Sequence, residues 1–182
     1  EGGTLTAPNA KAVVRCIEDM PEASWIIGGQ WDSSFFDRFN IVSPKAFLDE
    51  VSGDKAVFLA DDSNHNGWAN SKALALAGIT KNSKNPSDGT IVRDPKTGEP
   101  NGLLLEGAKI AFYEGLPTAN ATQHRSGALQ AVTTANQFGI TGIKDASADE
   151  PTIAAYQSLD KNKQLSVYMA TAIRAPYGHR EN

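Results

Sequence analysis

Few residues in this sequence could carry chemistry, and their types and spacing narrow what that chemistry can be. There are three histidines, His65, His124 and His179, and one cysteine, Cys16. A metal centre that activates water needs a closed set of nitrogen and oxygen ligands plus one open position. No two of the histidines are spaced His-x-His, and there is no His-Glu-x-x-His run or Cys/His cluster. Direct ligation by His65 therefore lacks a second ligand nearby in sequence. His65 opens the stretch HNGWANSKALALAGI (65–79), just after the apolar run AVFLA (56–60). A neutral imidazole there can hydrogen-bond a substrate carbonyl or a metal-bound water, or make a local structural hydrogen bond. Glu106, in GLLLEGA, has two readings as well. At a helix start its carboxylate satisfies exposed N–H groups; buried and aimed into a pocket, its pKa rises and it can transfer a proton or bind a cationic group. Trp31 and Trp68 either line an apolar pocket or belong to the core. Asp32 and Asn70 suit turn capping, while His124, at a polar helix start, and His179, in an irregular tail, read as solvated.

Composition excludes several partners. The chain has 182 residues, 40% of them hydrophobic, enough for one sizeable domain or a domain with an appendage. A formal charge of −4, without a Lys/Arg cluster, argues against nucleic acid or an anionic membrane surface as partner. No apolar run approaches the roughly 20 residues that span a bilayer. The first residues, EGGTLTAPNAKAVV, lack the regions of a signal peptide. Any such peptide would precede the chain, so export stays open. Lone Cys16 rules out an internal disulfide, and its neighbours Val13, Val14 and Ile17 give it the setting of a small buried hydrophobe.

The elements that must position these residues alternate helix and strand without an internal repeat. Residues 8–20 have helical spacing, and 25–29 (WIIGG) read as a strand stopped by glycines. Ser43 and Pro44 suit the N-cap and first position of a helix. A buried strand is expected over 56–60, then a helix capped by Asn70 or Ser71 and closed by Gly78. Residues 81–102 are polar and rich in turn formers, which suits a linker or, favoured by Ile91 and Val92, a surface hairpin turning at 95–98. Helical spacing over 117–138 puts Ala128, Leu129, Val132, Ala135 and Phe138 on one face. A strand over 140–146, a helix over 150–160 and a strand over 165–173 follow. That order is the pattern of parallel β/α units, in a (β/α)8 barrel or an open doubly wound sheet. In either, the loop after a strand lies at the functional face, so Asp145, with Ala146 and Ser147, is expected at such a mouth or capping the next helix.

Four pieces, WIIGGQWD (25–32), HNGWANSKALALAGI (65–79), GTIVRDPKTGEPNGLLLEGA (89–108) and FGITGIKDAS (138–147), occur in an order and spacing that resembles amidohydrolase family 3, the YtcJ-like branch of the metal-dependent amidohydrolases. The resemblance implies an α/β fold: a fragment of a (β/α)8 amidohydrolase barrel, with an insertion subdomain of mixed strands and helices over 1–116 and about two parallel β/α units over 117–182. It also implies hydrolysis of non-peptide C–N bonds in small amide-type substrates, with a zinc-type divalent metal at the barrel mouth of the parent enzyme. A whole barrel takes about 250 residues, and the family's His-x-His pair and later ligands have no counterpart here. The expectation is therefore an internal fragment that holds no metal itself and is inactive alone, whose open strand edges favour a homodimer. A non-catalytic binding or interaction module derived from the same fold is the alternative. On this resemblance the substrate-binding candidates are His65, Asn70, Glu106, Trp68 and Asp145. Here Asn64 stands where the family has glycine before the histidine, and Ala69 stands at the aliphatic position.

Overall fold

A computed structural model describes residues 8–32 and 34–173; His179 lies outside them. The chain forms two compact units, residues 1–116 and 117–182. No helix among the described residues is long and apolar enough to cross a membrane.

In the first unit, α1 (Pro8–Asp19) leads to β1 (Trp25–Trp31), the short α2 (Phe35–Arg38) and α3 (Pro44–Ser52). Then come β2 (Ala56–Asp61), β3 (Asn66–Ala69), α4 (Ser71–Leu76), β4 (Gly89–Arg93), β5 (Pro100–Glu106) and α5 (Gly107–Glu114). The strands form one mixed sheet in the order β1-β2-β3-β5-β4, with β1 parallel to β2 and every other pair antiparallel. Local sequence signals act as expected at several ends. Ser43 caps α3 through Ala46 N–H with Pro44 in its first turn, and Asn70 caps α4 through Ala73 N–H. Asp94 Oδ1 accepts from the backbone N–H groups of Lys96 and Thr97, and the turn closes at Gly98 into the β4–β5 hairpin. Strand β3 departs from expectation: four residues are too few to show a period, and they read as loop until paired on both sides.

Two buried clusters sit on this sheet. One gathers Trp31, Phe35, Phe47 and Trp68 with Ala10, Val13, Ile26, Leu48 and Val57, and Cys16 packs half-buried against it. Trp68 is its centre, with ring centroids 4.8 Å from Phe36, 5.4 Å from Phe47 and 5.9 Å from Trp31. Both indoles are satisfied inside, Trp68 Nε1 donating to Pro44 O at 2.7 Å and Trp31 Nε1 to Leu59 O at 3.1 Å. The other cluster packs Phe58, Leu104, Ala108 and Phe112, with the Phe58 and Phe112 rings stacked at 4.8 Å.

The second unit contains α6 (Ala121–Gln137), β6 (Gly142–Ala148), α7 (Glu150–Lys161) and β7 (Tyr168–Ile173), with β6 and β7 parallel. Helix α6 begins at Ala121, four residues later than the apolar spacing suggests, with Asn120 as its N-cap in a capping box with Gln123. Phe138 leaves the expected face: it is 79% exposed, because the helix ends at Gln137 and Gly139 turns the chain with φ +72°. Asp149 caps α7 through Thr152 N–H. Ala128, Val132, Ala135, Ala155, Leu159 and Val167 make the core.

Asn70 uses both ends of its amide in the interior of the first unit. It is 1% exposed. Its Oδ1 accepts from Val57 N–H at 3.0 Å and Ala73 N–H at 2.9 Å, and its Nδ2 donates to Ser52 Oγ and Lys55 O, both at 2.9 Å. Asn70→Ala strands a buried N–H on β2 and uncaps α4, and is expected to destabilise the chain by about 2–4 kcal/mol in urea unfolding. A loss below about 0.5 kcal/mol would contradict this role.

Candidate functional site

The turn between β2 and β3 is built on one carboxylate. Asp61 accepts from Ser63 Oγ at 2.8 Å, from Asn66 N–H at 3.0 Å and from Asn66 Nδ2 at 2.8 Å. Burial pulls its pKa upward, but these bonds, with help from the His65 backbone, outweigh burial and hold the carboxyl below the usual aspartate range. Asn64 takes a left-handed conformation, φ +61°, at the corner, a conformation asparagine tolerates better than most residues. The chain then enters β3, and His65 is delivered at the strand's start.

Pairing of β3 with β5 brings the second group. Asn66 lies opposite Leu105, Gly67 opposite Leu104 and Trp68 opposite Leu103. Beyond the last pair, Glu106 N–H donates to His65 O at 3.0 Å. The side chains meet as well: His65 Nδ1 stands 2.9 Å from Glu106 Oε2, with 63% and 58% of the two side chains exposed. An ionised carboxylate only accepts, so against it Nδ1 is the ring nitrogen that carries the proton. The hydrogen bond to Glu106, then its charge, raise the His65 pKa above 6.5; slight burial opposes this, Asp61 adds to it and Lys109 subtracts from it.

Glu106 does not cap α5. It occupies the position before the helix with φ +50° and ψ −122° and makes no side-chain cap bond. That conformation suits glycine, and an L-residue there is strained by about 1–3 kcal/mol. The next residue must be small: a Cβ on Gly107 would lie 2.0 Å from Asp88 Oδ1.

The structure thus joins two of the five sequence candidates, His65 and Glu106. Asn70 and Trp68 go to the interior, where their polar atoms are bonded within the first unit. In the second unit, Asp145 lies within β6 and caps no helix. Its carboxylate accepts from Tyr156 Oη on α7 at 2.9 Å and from Ser147 N–H at 3.0 Å, on the helix-bearing side of the strand. Burial first, and this bond second, push the Tyr156 hydroxyl up to about 12. His124 is half-buried rather than solvated, lining a hollow of its own unit with Arg125, Pro151 and Ala155. Asp32 is the turn former expected of it, accepting from Ser34 N–H at 2.7 Å. Sequence reasoning missed Lys109, which reaches from α5 to Asn64 Oδ1 at 2.9 Å. Its signal was slight: a lysine one turn before Tyr113 in the largely apolar run GAKIAFY.

Among the described residues no three His, Cys, Asp or Glu side chains converge to hold a metal ion. His65 and Glu106 are two groups engaged with each other, and this set does not fit a catalytic divalent ion.

Comparison with known proteins agrees with this fold. The amidohydrolase family profile matches residues 4–181. LONG AFTER FAR-RED 3 of Arabidopsis thaliana is 31% identical over 135 residues, 74% of this chain and 23% of that protein. The putative amidohydrolase YtcJ of Bacillus subtilis is 35% identical over 98 residues, 54% of this chain and 18% of its own. N-substituted formamide deformylase of Arthrobacter pascens is 30% identical over 155 residues, 82% of this chain and 28% of its own. The chain thus spans less than a third of each of these relatives. An uncharacterized metal-dependent hydrolase from Pyrococcus horikoshii shares the fold, with a TM-score of 0.59 at 18% identity over 88% of this chain and 31% of that one. From the fourfold sequence resemblance to the profile spanning nearly every residue, the chain belongs to amidohydrolase family 3.

Proposed function

We propose that this chain is part of a hydrolase of non-peptide C–N bonds that depends on a zinc-type divalent metal, and that His65 and Glu106 present a proton-bearing pair to a small amide-type substrate. The observation that carries this reading is the backbone of Glu106. An exposed ion pair contributes little to stability, about 0–1 kcal/mol, yet here its carboxylate sits on a residue held in a conformation that suits glycine. Strain kept for a contact of such small structural worth points to chemistry. With Glu106 on Nδ1, the ring orientation is set and its protonated form is favoured, so Nε2–H can donate to a carbonyl oxygen as negative charge builds there. Similarity to a formamide deformylase and a putative amidohydrolase supports the bond type. Residues 1–116 would be the insertion subdomain and 117–182 the barrel units, the metal being held by residues outside this set. Asn70 and Trp68 then serve the pair by fixing the strands behind it.

Three outcomes follow from this reading. In the complete enzyme, His65→Ala is expected to lower kcat/KM by about tenfold to a thousandfold with metal content unchanged; loss of metal, or full activity per folded molecule, would contradict the role. The purified 182-residue chain should bind no stoichiometric divalent metal and hydrolyse no amide, and light scattering should show self-association through its open strand edges. Stoichiometric zinc with amide turnover would refute the first part, and a monomer at all concentrations the second. The third outcome concerns pH. Because the folded pKa of His65 is raised, its favourable contribution is complete below about 6.5 and is lost as pH rises through the raised value. Glu106→Gly should return the His65 titration to its ordinary value, seen by NMR, without lowering Tm, since glycine relieves the strained φ. A clear drop in Tm would make the pair structural.

A further inference from the structure

The turn that delivers His65 is anchored from a second direction. Lys109, on the first turns of α5, is only 7% exposed, and its Nζ lies 2.9 Å from Asn64 Oδ1 and 5.0 Å from the centre of the Tyr113 ring. Its stem runs along the sheet: a Cβ built on Gly67 would come within 3.1 Å of Lys109 Cγ and 2.5 Å of the Phe58 ring, so this corner admits only glycine beside the lysine. Asn64 precedes His65 directly and is the left-handed corner of the turn; Lys109 follows Glu106 by three residues, on the helix that Glu106 opens. The same two segments are therefore joined three times: His65 O to Glu106 N–H, His65 Nδ1 to Glu106 Oε2, and Asn64 Oδ1 to Lys109 Nζ. The first two lie at the exposed site. The third is half-buried, its amine end set on a side chain that is itself buried, and a charge-assisted bond made partly out of water holds its partner more firmly than a fully exposed pair does.

We propose that Lys109 and Asn64 are positioning residues, whose Nζ–Oδ1 bond locks the left-handed corner of the turn to α5 and thereby fixes the reach and angle at which the His65 ring meets Glu106. The purpose of this lock rests on the substrate-facing reading of the pair. The charged groups that act on the imidazole are Glu106, Asp61 and Lys109. Lysine combines two properties here: a long apolar stem, whose Cγ lies beside Gly67, and a charged donor that reaches the Asn64 side-chain oxygen from over the Tyr113 ring.

Asn64→Gly tests this directly. Asn64 is exposed and glycine accepts its φ, so the fold is retained while the acceptor for Lys109 is removed. In the 182-residue chain the His65 titration followed by NMR should move toward its ordinary value in Asn64→Gly and stay raised in Asn64→Asp, which keeps the oxygen. In the complete enzyme, Asn64→Gly and Lys109→Met should each lower kcat/KM by about three- to thirtyfold, move the alkaline limb of its pH profile, where the proton on His65 is lost, and in combination do no more than either alone. A wild-type His65 titration in Asn64→Gly, or losses that multiply in the double variant, would overturn the proposal. A displaced His65 titration with unaltered kcat/KM would leave the positioning role standing and overturn the substrate-facing reading beneath it.

Discussion

Three pairings, Asn66 with Leu105, Gly67 with Leu104 and Trp68 with Leu103, set everything else at this site. A strand's side chains alternate between faces, so a slip of one residue would turn Trp68 out of the aromatic cluster and His65 away from Glu106 together. The register is over-determined for that reason. Trp68 fills the core on one face and donates to Pro44 O; Gly67 lets the Phe58 ring and the Lys109 stem approach on the other. Asn70, just past the strand, ties β2, α3 and α4 to one amide. The exposed pair is therefore positioned by buried contacts behind it, which is how side chains on a short turn can be held to a fixed geometry.

The sequence makes some of this legible and conceals the rest for physical reasons. Signals that act within four residues are plain: Ser43 with Pro44, Asn70 ahead of α4, and the turn closed by Gly98. The apolar run of β2 is equally clear. What escapes is anything decided over distance. Strand β3 is too short for a period and exists because β2 and β5 flank it. His65 and Glu106 are 41 positions apart, and only the sheet order brings them together. The conformation of Glu106 is invisible in a residue type that normally avoids it. In the second unit, counting apolar residues extends α6 too far at both ends, whereas the Asn120 and Gln123 capping signature marks its true start. The four-piece family resemblance reaches what periodicity cannot, since it carries the order of segments as well as their composition.

Electrostatics at the pair add little to stability. Glu106 and His65 face water, where Coulomb attraction is screened and the entropic loss of two held side chains offsets the gain. By linkage, the modest free energy that raises the His65 pKa is the same one the pair adds to folding. The buried side chains of Lys109 and Asp61 hold the turn while lying outside the exposed pair.

The most direct test is a crystal structure of the complete protein with a non-hydrolysable amide analogue bound. The account requires His65 Nε2 within hydrogen-bonding distance of the analogue's carbonyl oxygen while Nδ1 keeps Glu106 and Asn64 keeps Lys109. A ligand bound elsewhere, with the His65–Glu106 pair still facing open solvent, would contradict it.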